Sequence, residues 1–210
     1  MSHDEVRDET LTLILSGHET TANALTWALA HLRDRDDLWA ALADEAVEAL
    51  PQGQPASLRR VLAAPVAGAI LAEALRLAPP VWVAPRRALE DVEVGGIAVP
   101  RGAHVLVSQY ATHRSPSWFD EPGAFRPERW LDGLEERLPR GAYFPFGAGT
   151  RKCLGDQFAL LEGRIILLEM ARGARLVPLG SGLPRARPRA TYRPGGAVRS
   201  EVRPPVGRAV

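Results

Sequence analysis

The 210 residues are 46% hydrophobic and 24% charged, which supplies enough apolar material for a sizeable core and excludes a disordered tail, a collagen-like chain or a disulfide-stapled fragment. With 26 basic against 25 acidic residues the formal charge is +1, so the chain lacks the global positive field of a dedicated nucleic-acid binder. Its single cysteine, Cys153, excludes an internal disulfide and a thiol-rich zinc finger, and nothing points to an oxidising compartment. The longest nearly apolar run, Ala22 to Leu32, is interrupted by Asn23 and Thr26 and is far shorter than the roughly 20 residues of a membrane span. Met1-Ser2-His3-Asp4-Glu5 has no basic n-region and does not read as a signal peptide, so a soluble cytoplasmic protein is expected. Charge is uneven: from Leu183 to Val210 seven Arg, Arg208 among them, face one acid, Glu201, and Lys152 is the only lysine.

In chain order, Leu11, Ile14, Leu15, Ala22, Leu25, Leu29 and Leu32 keep to one face of a 3.6-residue period and predict a long helix from about Asp4 to Arg33. Asp36 or Asp37 is expected to N-cap a second helix with Leu38, Trp39, Leu42 and Leu50 as its stripe. A loop at Pro51 to Pro55 leads to a third helix, from Pro65 to Leu77, stopped by Pro79-Pro80. Short β-type runs follow, with Val92-Glu93-Val94 and Ile97-Ala98-Val99 flanking Gly95-Gly96 as a hairpin. Residues 108 to 152 show no period and are expected to be mostly irregular, as functional loops often are. Helix returns from about Gly155 to Arg172, and the Arg- and Pro-rich tail can form edge strands at best.

Three groups of residues could carry chemistry. Ser16-Gly17-His18-Glu19-Thr20-Thr21 is a polar block between two apolar halves of the first helix; its Thr hydroxyls can bond back one turn and bend or open the helix into a groove. A polar patch at a helix crossing is the competing reading, and Ala22 excludes the H-E-x-x-H of a zinc protease. Glu73 and Arg76 share a helix face among Ile70, Leu71, Ala74, Leu75 and Leu77, so a buried structural pair is favoured over a surface one. Cys153 follows two cations and precedes a helix N-terminus, a setting that stabilises a thiolate, and Gly147, Gly149 and Gly155 let backbone pass close to something large. Neither a dinucleotide fingerprint nor a phosphate loop is present.

The run Phe146-x-x-Gly149-x-Arg151-x-Cys153-x-Gly155 resembles the haem-binding loop of the cytochrome P-450 family. Three further motifs stand in the family's order: Ser16-Gly17-His18-Glu19-Thr20 looks like its oxygen-activation motif, Glu73-Ala74-Leu75-Arg76 like its E-x-x-R, and Phe125-Arg126-Pro127-Glu128-Arg129-Trp130 like its P-E-R-[FW] segment. The resemblance implies a mainly α fold with small β-sheets (α+β), the C-terminal half of the family fold, in one haem-thiolate domain spanning 1–210 without the helices that precede these motifs in the family. It also implies haem b with Cys153 as the thiolate ligand of iron, Arg151 and Arg86 on the propionates, and Phe146, Gly147 and Gly155 along the ring. Thr20 would hold dioxygen and a water, Glu19 would relay protons, and Gly17 would leave room above the ring. Glu73, Arg76 and Arg129 resemble a network that locks the Cys loop. Val81, Trp82, Val83 and Ala84 resemble a substrate-contact strand, and the turn from Thr191 to Gly195 another.

By the same resemblance the expected activity is a monooxygenase acting on a small apolar substrate with electrons from a ferredoxin- or flavodoxin-type donor, met by Arg140 and Lys152 on the Cys side. The alternative is a truncated, non-catalytic haem-binding remnant or a split half that needs an N-terminal partner. Ser16 departs from the Ala or Gly usual in the family. No nucleic-acid and no membrane partner is expected.

Overall fold

Ser2 starts the first helix with a reciprocal cap: the Glu5 N–H donates to Ser2 Oγ at 3.2 Å and the Ser2 N–H donates to Glu5 Oε2 at 2.7 Å. In the computed structural model, which describes residues 1–205 and so leaves Arg208 outside the described residues, helix α1 then runs unbroken over His3–His31. Its 29 residues reach about 43 Å. The polar block does not open it. Instead Thr10, Thr12, Ser16, Thr20, Thr21 and Thr26 each donate their hydroxyl to the carbonyl four residues earlier, so the hydroxyls are absorbed by the helix's own backbone.

Only the C-terminal half of α1 is buried, through Ala24, Leu25, Trp27, Ala28 and Ala30; Leu11, Leu13, Ile14 and Leu15 of the N-terminal half lie in the open. Helix α2 covers Asp36–Ala49 with Leu38, Trp39 and Leu42 buried as the stripe predicts. Its N-cap is Arg35 rather than an aspartate, and Asp36 and Asp37 fall in the first turn, where they face the positive end of the helix. A short helix, α3 at Leu58–Leu62, escaped the sequence because five residues carry too little period to read. Helix α4, Pro65–Leu77, opens on proline, and the Glu45 carboxylate of α2 accepts from the Val66 and Ala67 N–H groups at 2.8 Å each.

Strand β1 (Ala84–Arg87) pairs antiparallel with β4 (His104–Val107), placing Arg86 opposite Val105. Between them β2 (Val92–Val94) and β3 (Ile97–Val99) form the hairpin, with Gly95 and Gly96 at φ of 57° and 80° as a tight hairpin turn demands. The irregular stretch carries only short helices, α5 (Gln109–Thr112), α6 (Glu128–Leu131) and α7 (Leu134–Arg137). Helix α8, Asp156–Gly173, leads into the tail, where β5 (Arg175–Pro178) pairs with β8 (Ser200–Arg203) and β6 (Ala186–Pro188) with β7 (Tyr192–Pro194).

The core lies where α1, α2, α4 and α8 meet, on Leu32, Trp39, Leu42, Ile70, Leu71, Leu167 and Leu168. Each such side chain contributes about 1.5–3 kcal/mol on burial. Gly163 of α8 is needed for that packing, since a Cβ there would sit 2.7 Å from Leu71 Cδ2. This core holds α8 and the end of α4 fixed, and those two elements carry the side chains that matter next.

Candidate functional site

Glu73 and Arg76, three residues apart on α4, are both fully buried. Arg76 Nε and Nη2 donate to the two carboxylate oxygens of Glu73 at 2.9 and 2.8 Å. Its remaining donors go to the carbonyls of His113, Pro122 and Ala124 at 2.9, 2.7 and 2.9 Å, so every N–H of the guanidinium is used. Glu73 accepts in turn from the Arg126 N–H, Arg129 Nε and the Trp130 indole at 2.9, 3.2 and 2.8 Å. A buried ion pair survives only with such complete hydrogen bonding. The structure brings Glu73, Arg76 and Arg129 together; it adds Trp130, the last residue of the P-E-R-[FW] segment, and His113, which no motif marks.

His113 extends this cluster toward the cysteine. Its Nε2 accepts from the Phe144 N–H at 2.9 Å, and its ring packs against Tyr143 and Phe144. Burial and the neighbouring Arg76 push the imidazole down to about 3, so it is neutral and able to accept that bond at physiological pH. Two residues on, the Phe146 carbonyl accepts from the Cys153 N–H at 2.9 Å and closes the loop. Gly147 and Gly149, at φ of 75° and 71°, take the left-handed conformation that lets this loop turn back on itself.

Cys153 is a free, exposed thiol just ahead of Gly155, the N-cap of α8. Around it, Leu154 is 89% exposed and Phe158 70%, while Phe146 is half-buried. Arg151 is exposed and has no carboxylate partner among the described residues. Lys152 differs: its Nζ is 2.5 Å from Asp156 Oδ2, and this contact with the Gln157 N–H holds the Asp156 carboxyl below its ordinary range.

Glu19 and Thr20 lie on α1 at the edge of its buried half, and Gly17 is exposed with nothing within 4 Å of where a Cβ would stand. The Thr20 hydroxyl donates to the Ser16 carbonyl at 2.8 Å, and Ser16 turns its own hydroxyl back to Thr12 at 2.6 Å. Ser16 therefore presents no free donor. Glu19 is tied to the tail: the Thr191 hydroxyl donates to its Oε1 at 2.7 Å. No hydrogen bond or ion pair links Thr20 or Glu19 to the Cys153 loop among the described residues.

Arg86, on β1, is exposed, and among the described residues its guanidinium has one hydrogen bond, to the adjacent Pro85 carbonyl at 2.9 Å. Of the four residues expected to form a strand, only Ala84 does; Val81, Trp82 and Val83 precede β1. Trp82 is committed elsewhere, its indole donating to the Arg189 carbonyl at 2.9 Å and its carbonyl accepting from the Tyr110 N–H and the Ser108 hydroxyl. No group of three or more His, Cys, Asp or Glu is arranged to hold a metal ion among the described residues. Nor is any described helix long and apolar enough to cross a membrane.

The model of the family described as Cytochrome P450 matches residues 1–178. The chain is 39% identical over 197 residues to a cyclooctatin synthase of Streptomyces melanosporofaciens, which spans 93% of this chain and 42% of that protein. It is 36% identical to cyclooctat-9-en-7-ol 5-monooxygenase of the same organism, over 83% of this chain and 38% of that protein. The crystal structure of the cytochrome P450DA heme domain superposes with a TM-score of 0.87 at 29% identity, over 98% of this chain and 46% of that one. The chain thus spans less than half the length of these relatives. Its helices with small sheets follow the fold of the matched part of that structure, and by sequence and fold alike the chain belongs to the cytochrome P450 family.

Proposed function

We propose that this chain is the haem-thiolate part of a monooxygenase that inserts one atom of dioxygen into a small apolar substrate. The observation that carries this reading is the exposed Cys153 thiol, at the end of a loop turned by two left-handed glycines and beside exposed apolar side chains. The donor set suits haem b: a soft sulfur for iron, Phe146, Leu154 and Phe158 for the ring, and Arg86 and Arg151, without a carboxylate partner among the described residues, for the propionates. When bound, haem supplies the oxygen activation, the second oxygen atom leaving as water with electrons from a separate donor.

The protein residues have the following parts. Arg86 and Arg151 bind and orient through charge-assisted bonds, each worth about 1.5–3 kcal/mol. Gly17 keeps α1 clear where a side chain would intrude. Thr20 has its hydroxyl proton committed to the Ser16 carbonyl, so Oγ1 offers its lone pairs and accepts a bond from a proton-bearing oxygen. Glu19 is held below its ordinary carboxyl range, chiefly by the Thr191 hydroxyl, and is the carboxylate that takes up and passes on protons. Glu73, Arg76, Arg129 and His113 hold the Cys153 loop in place without touching the reactants. Arg140, which has no ion-pair partner among the described residues, meets a ferredoxin- or flavodoxin-type electron donor. The named substrate of the Streptomyces monooxygenase, a cyclic alcohol, is consistent with a small apolar substrate here.

The test is the carbon monoxide complex of the haem-loaded, reduced protein. The red-shifted absorption of a thiolate ligand is expected; a spectrum of the histidine type would overturn the reading.

A further inference from the structure

The tail reaches back across the molecule to one side chain of α1. Thr191 lies in the turn between β6 and β7, and its hydroxyl donates to Glu19 Oε1 at 2.7 Å across 172 positions of sequence. Arg193 Nη1 stands 3.7 Å from the same oxygen. Asn23 Nδ2, one turn along α1 from Glu19, donates to Thr191 Oγ1 at 3.4 Å. A hydroxyl has one proton; with Asn23 on its lone pair, that proton is directed at Glu19. Both tail contacts fall on Oε1, which leaves Oε2 outside them.

The turn that delivers Thr191 is itself anchored on three sides. The Tyr192 N–H donates to the Pro80 carbonyl at 2.8 Å, the Trp27 indole to the Tyr192 carbonyl at 3.3 Å, and the Trp82 indole to the Arg189 carbonyl at 2.9 Å. The rings of Trp27 and Tyr192 pack with centroids 5.5 Å apart. Two tryptophans spent on a surface turn are a large commitment for a contact without consequence. A threonine that merely lined a substrate pocket would need no donor aimed at an acid.

We infer that Thr191 and Arg193 are positioning residues for Glu19, a latch supplied by the C-terminal hairpin that fixes which carboxylate oxygen faces the proton path. This rests on the proton-relay reading of Glu19 and assigns to the turn a task other than substrate contact. The groups facing Glu19 are Thr191 and Arg193 from the tail and His18 and Asn23 from α1, and the Thr191 bond is the largest of the influences that keep its carboxyl low.

The experiment titrates the Glu19 carboxyl by carbon NMR in the full chain, with and without haem, in Thr191→Val, Thr191→Ser and Arg193→Gln. Thr191→Val is expected to raise the midpoint, Thr191→Ser to restore it, and Arg193→Gln to raise it by less. In the haem-loaded protein the acidic limb of turnover moves upward in pH with the same ranking, and peroxide released per product rises severalfold in Thr191→Val at unchanged KM. An unmoved Glu19 midpoint in Thr191→Val overturns the latch, as does a raised KM with an unmoved pH limb. A wild-type chain without the thiolate signature would sink the haem reading alone, because the titration without haem still decides whether the latch exists.

Discussion

Arg76 and Arg86 carry the same charge under opposite conditions. Arg76 is wholly buried and all its donors end on Glu73 or on main-chain carbonyls, so this guanidinium is fully answered, although Arg129 Nη2 and His113 Nδ1 beside it are buried without a partner among the described residues. The Arg86 side chain is exposed and bonded only to its own neighbour's carbonyl among the described residues; Arg151, the Cys153 thiol, Leu154 and Phe158 are likewise exposed, and neither arginine has a carboxylate partner among them. Counting partners therefore separates residues that build the molecule from residues held ready for something else. The two regions are also mechanically joined, since His113 gives its carbonyl to Arg76 and its ring nitrogen to Phe144, and Phe146 gives its carbonyl to Cys153.

The largest effects should fall on opposite properties in the two regions. Cys153→Ala is expected to abolish the thiolate carbon monoxide signature completely, with a stability change within about 0.5 kcal/mol, because the side chain is exposed. Glu73→Gln should do the reverse to stability. It leaves the Arg76 charge buried without its counter-ion, a loss of about 3–5 kcal/mol in denaturant unfolding. A destabilised Cys153→Ala, or a Glu73→Gln as stable as the parent, would break the distinction between the regions.

The helices were legible because their burial follows a period: α1, α2, α4 and α8 stand within two residues of where Leu25, Leu42, Ile70 and Leu168 place them. The hairpin at Gly95-Gly96 was legible through turn chemistry. Glu73 and Arg76 could be paired from three-residue spacing alone, and Cys153 stood out as the only thiol. What escaped were contacts between residues far apart in the chain, such as Trp130 on Glu73 and Thr191 on Glu19, for which no local pattern exists. The exposure of Leu11, Ile14 and Leu15 cannot be read from their period, which measures amphipathicity and says nothing about whether a neighbour covers that face. Lys152, expected to meet an electron donor, also pairs with Asp156 while staying 53% exposed, a pairing that the four-residue spacing could have signalled.

Acid should reveal the buried region next. His113 is depressed to about 3, chiefly by burial and then by Arg76, and His31, stacked on Phe125, is depressed to about 4, again chiefly by burial. Both folded values lie below the ordinary 6.5, so the unfolded chain binds more protons as pH falls. Their contribution is therefore complete above about pH 6.5 and is lost as pH drops toward 4 and then 3, at up to about 1.4 kcal/mol per pH unit for each imidazole. Urea midpoints measured between pH 7 and 4 check this, and His113→Gln should flatten the curve. In the open region Arg86→Gln should leave that curve unchanged and weaken haem affinity about 10- to 100-fold, read by haem transfer to an acceptor protein.

The smallest effect is expected where the two kinds of region meet. Lys152 and Asp156 are one helical turn apart and clip the Cys153 loop to the start of α8, yet the lysine side chain is 53% exposed. Asp156 also caps locally, accepting from the Gln157 N–H at 2.8 Å, and that bond does not depend on the lysine. Water and salt screen the charge pair, and ordering a long lysine side chain costs entropy, so Lys152→Ala should cost no more than about 1 kcal/mol. The loss should vanish at high salt, whereas the cost of Glu73→Gln should persist there because no ions reach a pair buried on every side. A salt series on these two variants therefore separates a solvated charge from a sealed one by a single measurement, and a Lys152→Ala loss that survives high salt would place the Cys153 loop with the buried region after all.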